Sequence, residues 1–524
     1  MTDVVFYFQV HQPFRLRRYT FFDIGKRDDY FDDAENERIV RRVAEKCYLP
    51  MNALMLDLIE RHAGEFRIAY SITGSALDQF EAWVPEALES FQKLARTGCV
   101  EFLGETSMHS LTGLADLDVF RDQVEAHSAR IERLFGRRPT TFRNTELVID
   151  ARIARTVEAL GFKAILGEGA DHLLGWRSPH RVYSPEGCET LKLLLRSYEF
   201  SDDIAFRFSN KTWDEWPLYA DRFASWLHEL TEEDTFVGLF MDYETFGEHQ
   251  WKETGIFDFM EHVPAEVLKD SRFRFRTPSQ VAEENEAVAK LDFPHPISWA
   301  DAERDLTAWL GNPMQRSAND ALYSLARSVR KLEHAGSPDL AKAWARLSTS
   351  DHLYYMCTKW FSDGDVHKYF SPYQSPHDAF IAFMNVVDDL ARRVEKASAP
   401  LLGAAEPIAA LAGVPALTRK PVAPPEPIPE TARAPRTEPV TRPTSALERE
   451  SPATRGATPA AEPTRAAPPA EAREARPSDR TPNTTRGVTP AVEPTRAAPP
   501  TEASAPLPVT PVDDDAPADT PELF

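Results

Sequence analysis

The run Phe236–Met241, FVGLFM, carries no polar side chain and stops abruptly at Asp242, with Glu244, Glu248, His249 and Trp251 close behind. A run without a polar face reads as a strand covered on both sides, which is the signature of a parallel sheet wrapped by helices. Such sheets collect their functional groups at the C-terminal ends of their strands. An apolar strand ending in carboxylates therefore limits the fold and marks the place where chemistry belongs.

The pattern recurs along the chain. Strand-like segments at Val4–Val10, Phe66–Ile72, Cys99–Leu103, Thr140–Asn144, Ala164–Leu166, Leu191–Leu195 and Thr235–Met241 alternate with amphipathic stretches, and Arg272–Phe275 is an eighth candidate. In residues 117–135, Leu117, Phe120, Val124, His127 and Ile131 return at helical spacing. This βαβα order predicts an α/β fold built on a parallel barrel of seven or eight strands. A closed barrel brings the residues after each strand to one mouth: His11 and Gln12, then Glu101, Glu105 and His109, then Glu146, Glu168, and finally Asp242 and Glu244.

Glu146 and Asp242 are the natural pair. Glycosidic cleavage needs one carboxylate to attack or to activate water and a second group to protonate the leaving oxygen. Each acid alone has a plainer reading, with Glu146 capping the helix that opens near Asp150 and Asp242 holding a neighbouring base. Apolar packing and Glu244 are expected to favour a protonated Asp242, and Arg143 an ionised Glu146 if it points inward. On a continuous strand, however, the three-residue spacing sets Arg143 and Glu146 on opposite faces.

Residues 298–397 change character: SWADAERDLTAWL, DALYSLARSVRKLEHA, DLAKAWARLSTSDHLYYMCTKW and HDAFIAFMNVVDDLARRVE read as helices of a small bundle. The link HKYFSPYQSPHD is a candidate loop offering Tyr369, Phe370 and Tyr373 to a sugar, or burying them between helices. Beyond Ala397, 27 of the 42 prolines follow, and all ten tryptophans precede. RGATPAAEPTRAAPPAEA at Arg455 returns as RGVTPAVEPTRAAPPTEA at Arg486. Residues 398–524 are thus expected to be a disordered Pro/Ala-rich tether of unknown partner. The expected organisation is a catalytic barrel over 1–290, a helical bundle over 291–397, and the tail.

The formal charge of −22 argues against nucleic acid as a ligand. Cys47, Cys99, Cys188 and Cys357 form no CxxC pair, so neither a zinc site nor a disulfide scaffold is expected. No run approaches the roughly 20 apolar residues of a membrane span, and the chain opens directly on a strand, so a cytoplasmic protein without a membrane partner is expected.

Four motifs, HQPFR at His11, EFLGETSMHSL at Glu101, FRNTELVID with Glu146 and MDYETFGEHQW with Asp242, resemble in order the signatures of glycoside hydrolase family 57. The resemblance covers about residues 1–390 and includes DHLYYMCTKW. It implies an incomplete (β/α)7 TIM-like barrel followed by a helical bundle, acting on α-glucans with retention of configuration. Glu146 falls on the family's nucleophile and Asp242 on its general acid/base; no metal or other cofactor is implied. His11, Glu105 and His109 match positions that bind sugar hydroxyls, and Gln12, Glu244, His249 and Trp251 join them as candidate substrate-binding residues. The wording of DYETFGEHQ and DHLYYM is most similar to the α-amylase-type branch. One departure is that many members carry a tryptophan shortly before the nucleophile, where this chain has Phe142 and Arg143. A 4-α-glucanotransferase with the same dyad, a metal-dependent deacetylase using His11, His109, His249 and Asp242, and a non-catalytic glucan-binding protein are the alternative readings.

Overall fold

The computed structural model describes residues 1–359 and 371–399, so Tyr369, Phe370 and the tail beyond residue 399 lie outside the described residues. Its main sheet contains eight parallel strands: β1 (Thr2–Val10), β2 (Ile68–Ile72), β3 (Val100–Phe102), β4 (Thr141–Arg143), β5 (Ala164–Glu168), β6 (Lys192–Arg196), β7 (Phe236–Asp242) and β8 (Phe273–Phe275). Seven follow one another in the order β3-β2-β1-β7-β6-β5-β4, and β8 adds against the start of β1. All eight sequence-predicted strands are present, with ends shifted by a residue or two.

The apolar runs are explained by what each face meets. Along β1, Val4, Phe6, Phe8 and Val10 pack outward on the helices, while Val5 and Tyr7 fill the barrel interior. In β7, Val237, Leu239 and Met241 point outward and Phe236 and Phe240 inward. A strand buried on both faces cannot alternate with polar residues.

The sheet curls into an incomplete barrel whose two thinnest seams both depend on glycine. Between β3 and β4 the contact is made just beyond β3, where the Gly104 N–H donates to Thr141 O at 2.9 Å and the Arg143 N–H donates to Gly104 O at 2.8 Å. A Cβ on Gly104 would sit 2.8 Å from the Phe162 ring. Between β6 and β7 one registered pair joins the strands, Arg196 opposite Gly238, and a Cβ there would lie 2.4 Å from Leu195 O.

One hydrophobic cluster covers the outer faces of β1, β2, β7 and β8; another covers β4, β5 and β6. The second is shared with the helices Pro313–Ser324, Ala326–His334, Pro338–Leu347 and Pro376–Ser398, which contribute Leu322, Val329, Trp344, Phe383 and Leu390. The bundle is thus packed on one side of the barrel. Tyr373 belongs to this packing, its ring 6.0 Å from that of Tyr355, and does not line the cleft described below.

The expected helix over SWADAERDLTAWL is a correction. Only Thr307–Leu310 is helical, and Asp301 and Arg304 take positive φ values of 53° and 52°. Pro294 and Pro296 precede this stretch, and the Trp299 N–H donates to Glu146 O at 3.1 Å instead of entering a helical turn. No helix among the described residues is long and apolar enough to cross a membrane.

Candidate active site

β4 ends at Arg143, and the chain then turns so sharply that Glu146 and Leu147 both adopt left-handed backbone, φ 55° and 52°. Left-handed φ costs a non-glycine residue on the order of 1–3 kcal/mol and collects at functional sites. The turn is over-determined: the Val148 N–H donates to Thr145 O at 2.9 Å, the Asn144 side-chain amide donates to Val148 O at 2.8 Å, and the Thr145 hydroxyl meets that of Thr106 at 2.9 Å. The helix that follows is capped by Asp150, whose carboxylate accepts from the N–H groups of Arg152 and Ile153. Glu146 is therefore released from the capping role.

Two donors hold the Glu146 carboxylate. His109 Nε2 lies 2.9 Å from Oε1, and the Trp299 indole N–H donates to Oε2 at 2.7 Å. Behind His109 stands Glu105, fully buried, with Oε2 3.7 Å from Nδ1, an ion-pair distance rather than a hydrogen bond. Burial alone would lower the His109 pKa, but the carboxylates of Glu105 and Glu146 outweigh it and raise it to about 9. His109 is thus an imidazolium between two acids. Burial also opposes the charge of Glu105, and His109 and His127 overcome it, holding that carboxyl below its usual range.

His11 stacks on His109 with ring centroids 4.0 Å apart. Both its ring nitrogens are engaged, Nδ1 by the Thr73 hydroxyl at 3.1 Å and Nε2 by Asp351 at 2.9 Å. Burial and the neighbouring His109 lower its pKa to about 4. His11 is therefore neutral, and the partners fix the tautomer: Nε2–H donates to Asp351, and Nδ1 accepts from Thr73.

Across the cleft, β7 delivers Asp242, and the turn Tyr243–Thr245 follows. Glu244 accepts from the Tyr48 hydroxyl at 2.5 Å and from the His11 backbone N–H at 3.3 Å. Burial and the charge of Asp242 raise its pKa to about 8. Glu244 therefore takes up a proton beside Asp242. Gln12 reaches the same Tyr48 hydroxyl from its side-chain amide at 3.1 Å.

His11, Gln12, His109, Glu146, Asp242, Glu244 and His249 all line one cleft. Glu105 lies behind it, and Trp251 is exposed outside it. Glu168 is buried against Arg196, and burial, resisted by that arginine, raises its pKa to about 7. Glu101 is a clip between strands and loops, accepting from the Thr141 hydroxyl and the Ser279 N–H. Among the described residues, no three His, Cys, Asp or Glu side chains converge as a metal-holding set.

Arg143 and Glu146 line the same cleft, contrary to the spacing argument, because the left-handed turn breaks the strand between them. Sequence reasoning missed Trp299, Tyr48, Arg196 and Arg304, all tied to this site. Pro294 and Pro296 of FPHPISW were the signal that Trp299 belongs to a loop.

The chain matches the model of glycosyl hydrolase family 57 over residues 5–294. It is 41% identical over 401 residues to a chain of Methanocaldococcus jannaschii named "Putative alpha-amylase", covering 74% of this chain and 83% of that one. Among solved structures, its fold is similar to a branching enzyme of Pyrococcus horikoshii, with TM-score 0.55 and 16% identity over 75% of this chain and 91% of the other. It is also similar to an alpha-amylase of Thermotoga maritima, with TM-score 0.50 and 14% identity over 76% and 96%. A family match over more than half the chain, on a barrel whose mouth gathers paired carboxylates, places it: the protein is a glycoside hydrolase and belongs to glycosyl hydrolase family 57.

Proposed function

We propose that this enzyme cleaves α-1,4-glucans with retention of configuration, Glu146 attacking the anomeric carbon and Asp242 acting as general acid and then general base. The observation that carries the reading is the holding of Glu146: a strained turn presents it to the cleft, and two N–H donors fix both carboxylate oxygens. A nucleophile has to be ionised and aimed before substrate arrives, and donors to the carboxylate favour both. Asp242 arrives from a different strand, as a reaction at two sides of one sugar ring requires. The α-glucan substrate is supported by the 41% identity to the relative named as an alpha-amylase.

The covalent glucosyl-enzyme formed on Glu146 is resolved by water, releasing a shorter glucan with its α-anomer intact. Proton NMR of the first products tests this, because an initial β-anomer excludes a single covalent intermediate. Maltoheptaose separates hydrolysis from its nearest rival. Accumulating reducing ends support hydrolysis, and a ladder of longer oligosaccharides at constant reducing ends supports a 4-α-glucanotransferase on the same dyad.

A further inference from the structure

Arg143 is fully buried, yet none of its three guanidinium nitrogens has a hydrogen-bond partner among the described residues. An unpaired buried guanidinium costs several kcal/mol unless nearby charge compensates it. Its carbon lies 4.9 Å from the centroid of the Trp299 ring, within cation–π range. That same indole donates to Glu146 Oε2. The rest of Trp299 is also pinned, its backbone N–H on Glu146 O and its carbonyl accepting from Arg304 at 2.6 Å. Arg196, 5.7 Å from the same ring, spends its donors on Asp202, Glu168 and Phe240 O.

We propose that Arg143 is a positioning residue for the Glu146 carboxylate, carrying the Trp299 indole on its guanidinium and supplying the buried positive charge that keeps Glu146 ionised. This inference rests on the role proposed above for Glu146. The groups around Glu146 include His109 with Glu105 behind it, Trp299 with Arg143 and Arg196 beside its ring, and Asp242 in the same cleft; His11 stacks on His109 and carries Asp351. The charge of Arg143 reaches this group: it opposes protonation of His109 and favours the ionised forms of Glu105 and Tyr7. Arg143 borders the cleft, but its guanidinium nitrogens are covered, so it acts through the indole and the field rather than by touching sugar.

The test is kcat/KM on maltoheptaose across pH for the full chain and for Arg143→Met, Arg143→Lys and Trp299→Phe, with a melting curve for each. In Arg143→Met the acidic limb should move up by about one pH unit, the lower end of the effect of one nearby opposite charge on a carboxyl. Its kcat should fall at least about tenfold, while KM stays within about twofold. Arg143→Lys keeps the charge, so its acidic limb should stay near that of the wild type. It loses the planar stack, so its kcat should fall. Trp299→Phe retains a ring without the N–H and should raise the limb as well. An unmoved acidic limb in a folded Arg143→Met overturns the proposal. If that variant does not fold, an unmoved limb in Trp299→Phe, or one in Arg143→Lys shifted as far as expected for Arg143→Met, overturns it instead. Glu146→Gly with azide keeps the two questions apart. Formation of a glycosyl azide upholds the nucleophile whatever Arg143 does, and its absence with activity intact removes the role on which this inference stands.

Discussion

His11 at the end of the first strand and Asp351 in the helical region are separated by 340 residues, yet His11 Nε2 and the Asp351 carboxylate are 2.9 Å apart. Their bond carries the helical region into the cleft. Asp351→Ala leaves a buried imidazole N–H without this acceptor, which costs about 1–3 kcal/mol, and it frees the ring that stacks on His109. The expected outcome is a lower melting temperature together with a fall in kcat. Unchanged values of both would mean that the contact is incidental.

Glu146→Gln and Asp242→Asn should each reduce turnover by roughly 10³-fold or more with the fold intact, since each removes a role confined to the reaction. Circular dichroism and initial rates on maltoheptaose check this. Near-normal turnover in either variant means that the carboxylate has been wrongly chosen.

Glu244 offers a pH test. Its carboxyl is held at about 8 against an ordinary 4.5, so in this interval the folded protein binds a proton that the unfolded chain has lost. The contribution is fully present below 4.5 and lost as pH rises through about 8. Glu244→Gln cannot ionise. Between about pH 5 and pH 8.5 the wild type should lose stability that the variant keeps, with a difference on the order of 4 kcal/mol at the upper end. Equal slopes in urea titrations at several pH values would show that the proton sits elsewhere.

Ending the chain after residue 398, where the helix Pro376–Ser398 closes, should leave glucan cleavage and melting temperature nearly unchanged. The removed sequence is rich in proline and alanine and poor in residues able to form a core. A drop of several degrees would show that the stretch Leu401–Leu417 contributes packing.

The longer strands were legible because they are buried on both faces and advertise that burial in their composition, β1 and β7 most clearly, whereas the short β3 and β8 keep Glu101 and Arg274 half-buried. The convergence of His11, His109, Glu146 and Asp242 followed from the rule that parallel strands present their C-terminal ends together. The two prolines before Trp299 marked a loop, but its contact with Glu146 was not legible, because the positive-φ residues Asp301 and Arg304 that shape this loop leave no periodicity. Arg143 was misplaced for a related reason. Face alternation holds only while a strand continues, and this one ends at Arg143 itself. Asp351 was part of a recognised motif, but its partner lay 340 residues away, and a helical pattern says nothing about which strand end its polar face will meet.

The two glycine seams divide the strands into groups with separate outer clusters, and Glu146 follows β4 in one group while Asp242 ends β7 in the other. No covalent or sheet geometry internal to either group sets the span between the two acids. It is set by how the two groups meet across their shared interior of Val5, Tyr7, Leu166, Leu194 and Phe240, so on the roles proposed for the two acids their separation is a property of the seams. A side chain placed at Gly104 would act as a wedge against the Phe162 ring of the other group, whereas one at Gly238 would also press on Phe236 and Phe240 of its own strand. Loss of turnover from such a wedge, without loss of secondary structure, is a mechanical effect transmitted from a position that never meets the substrate.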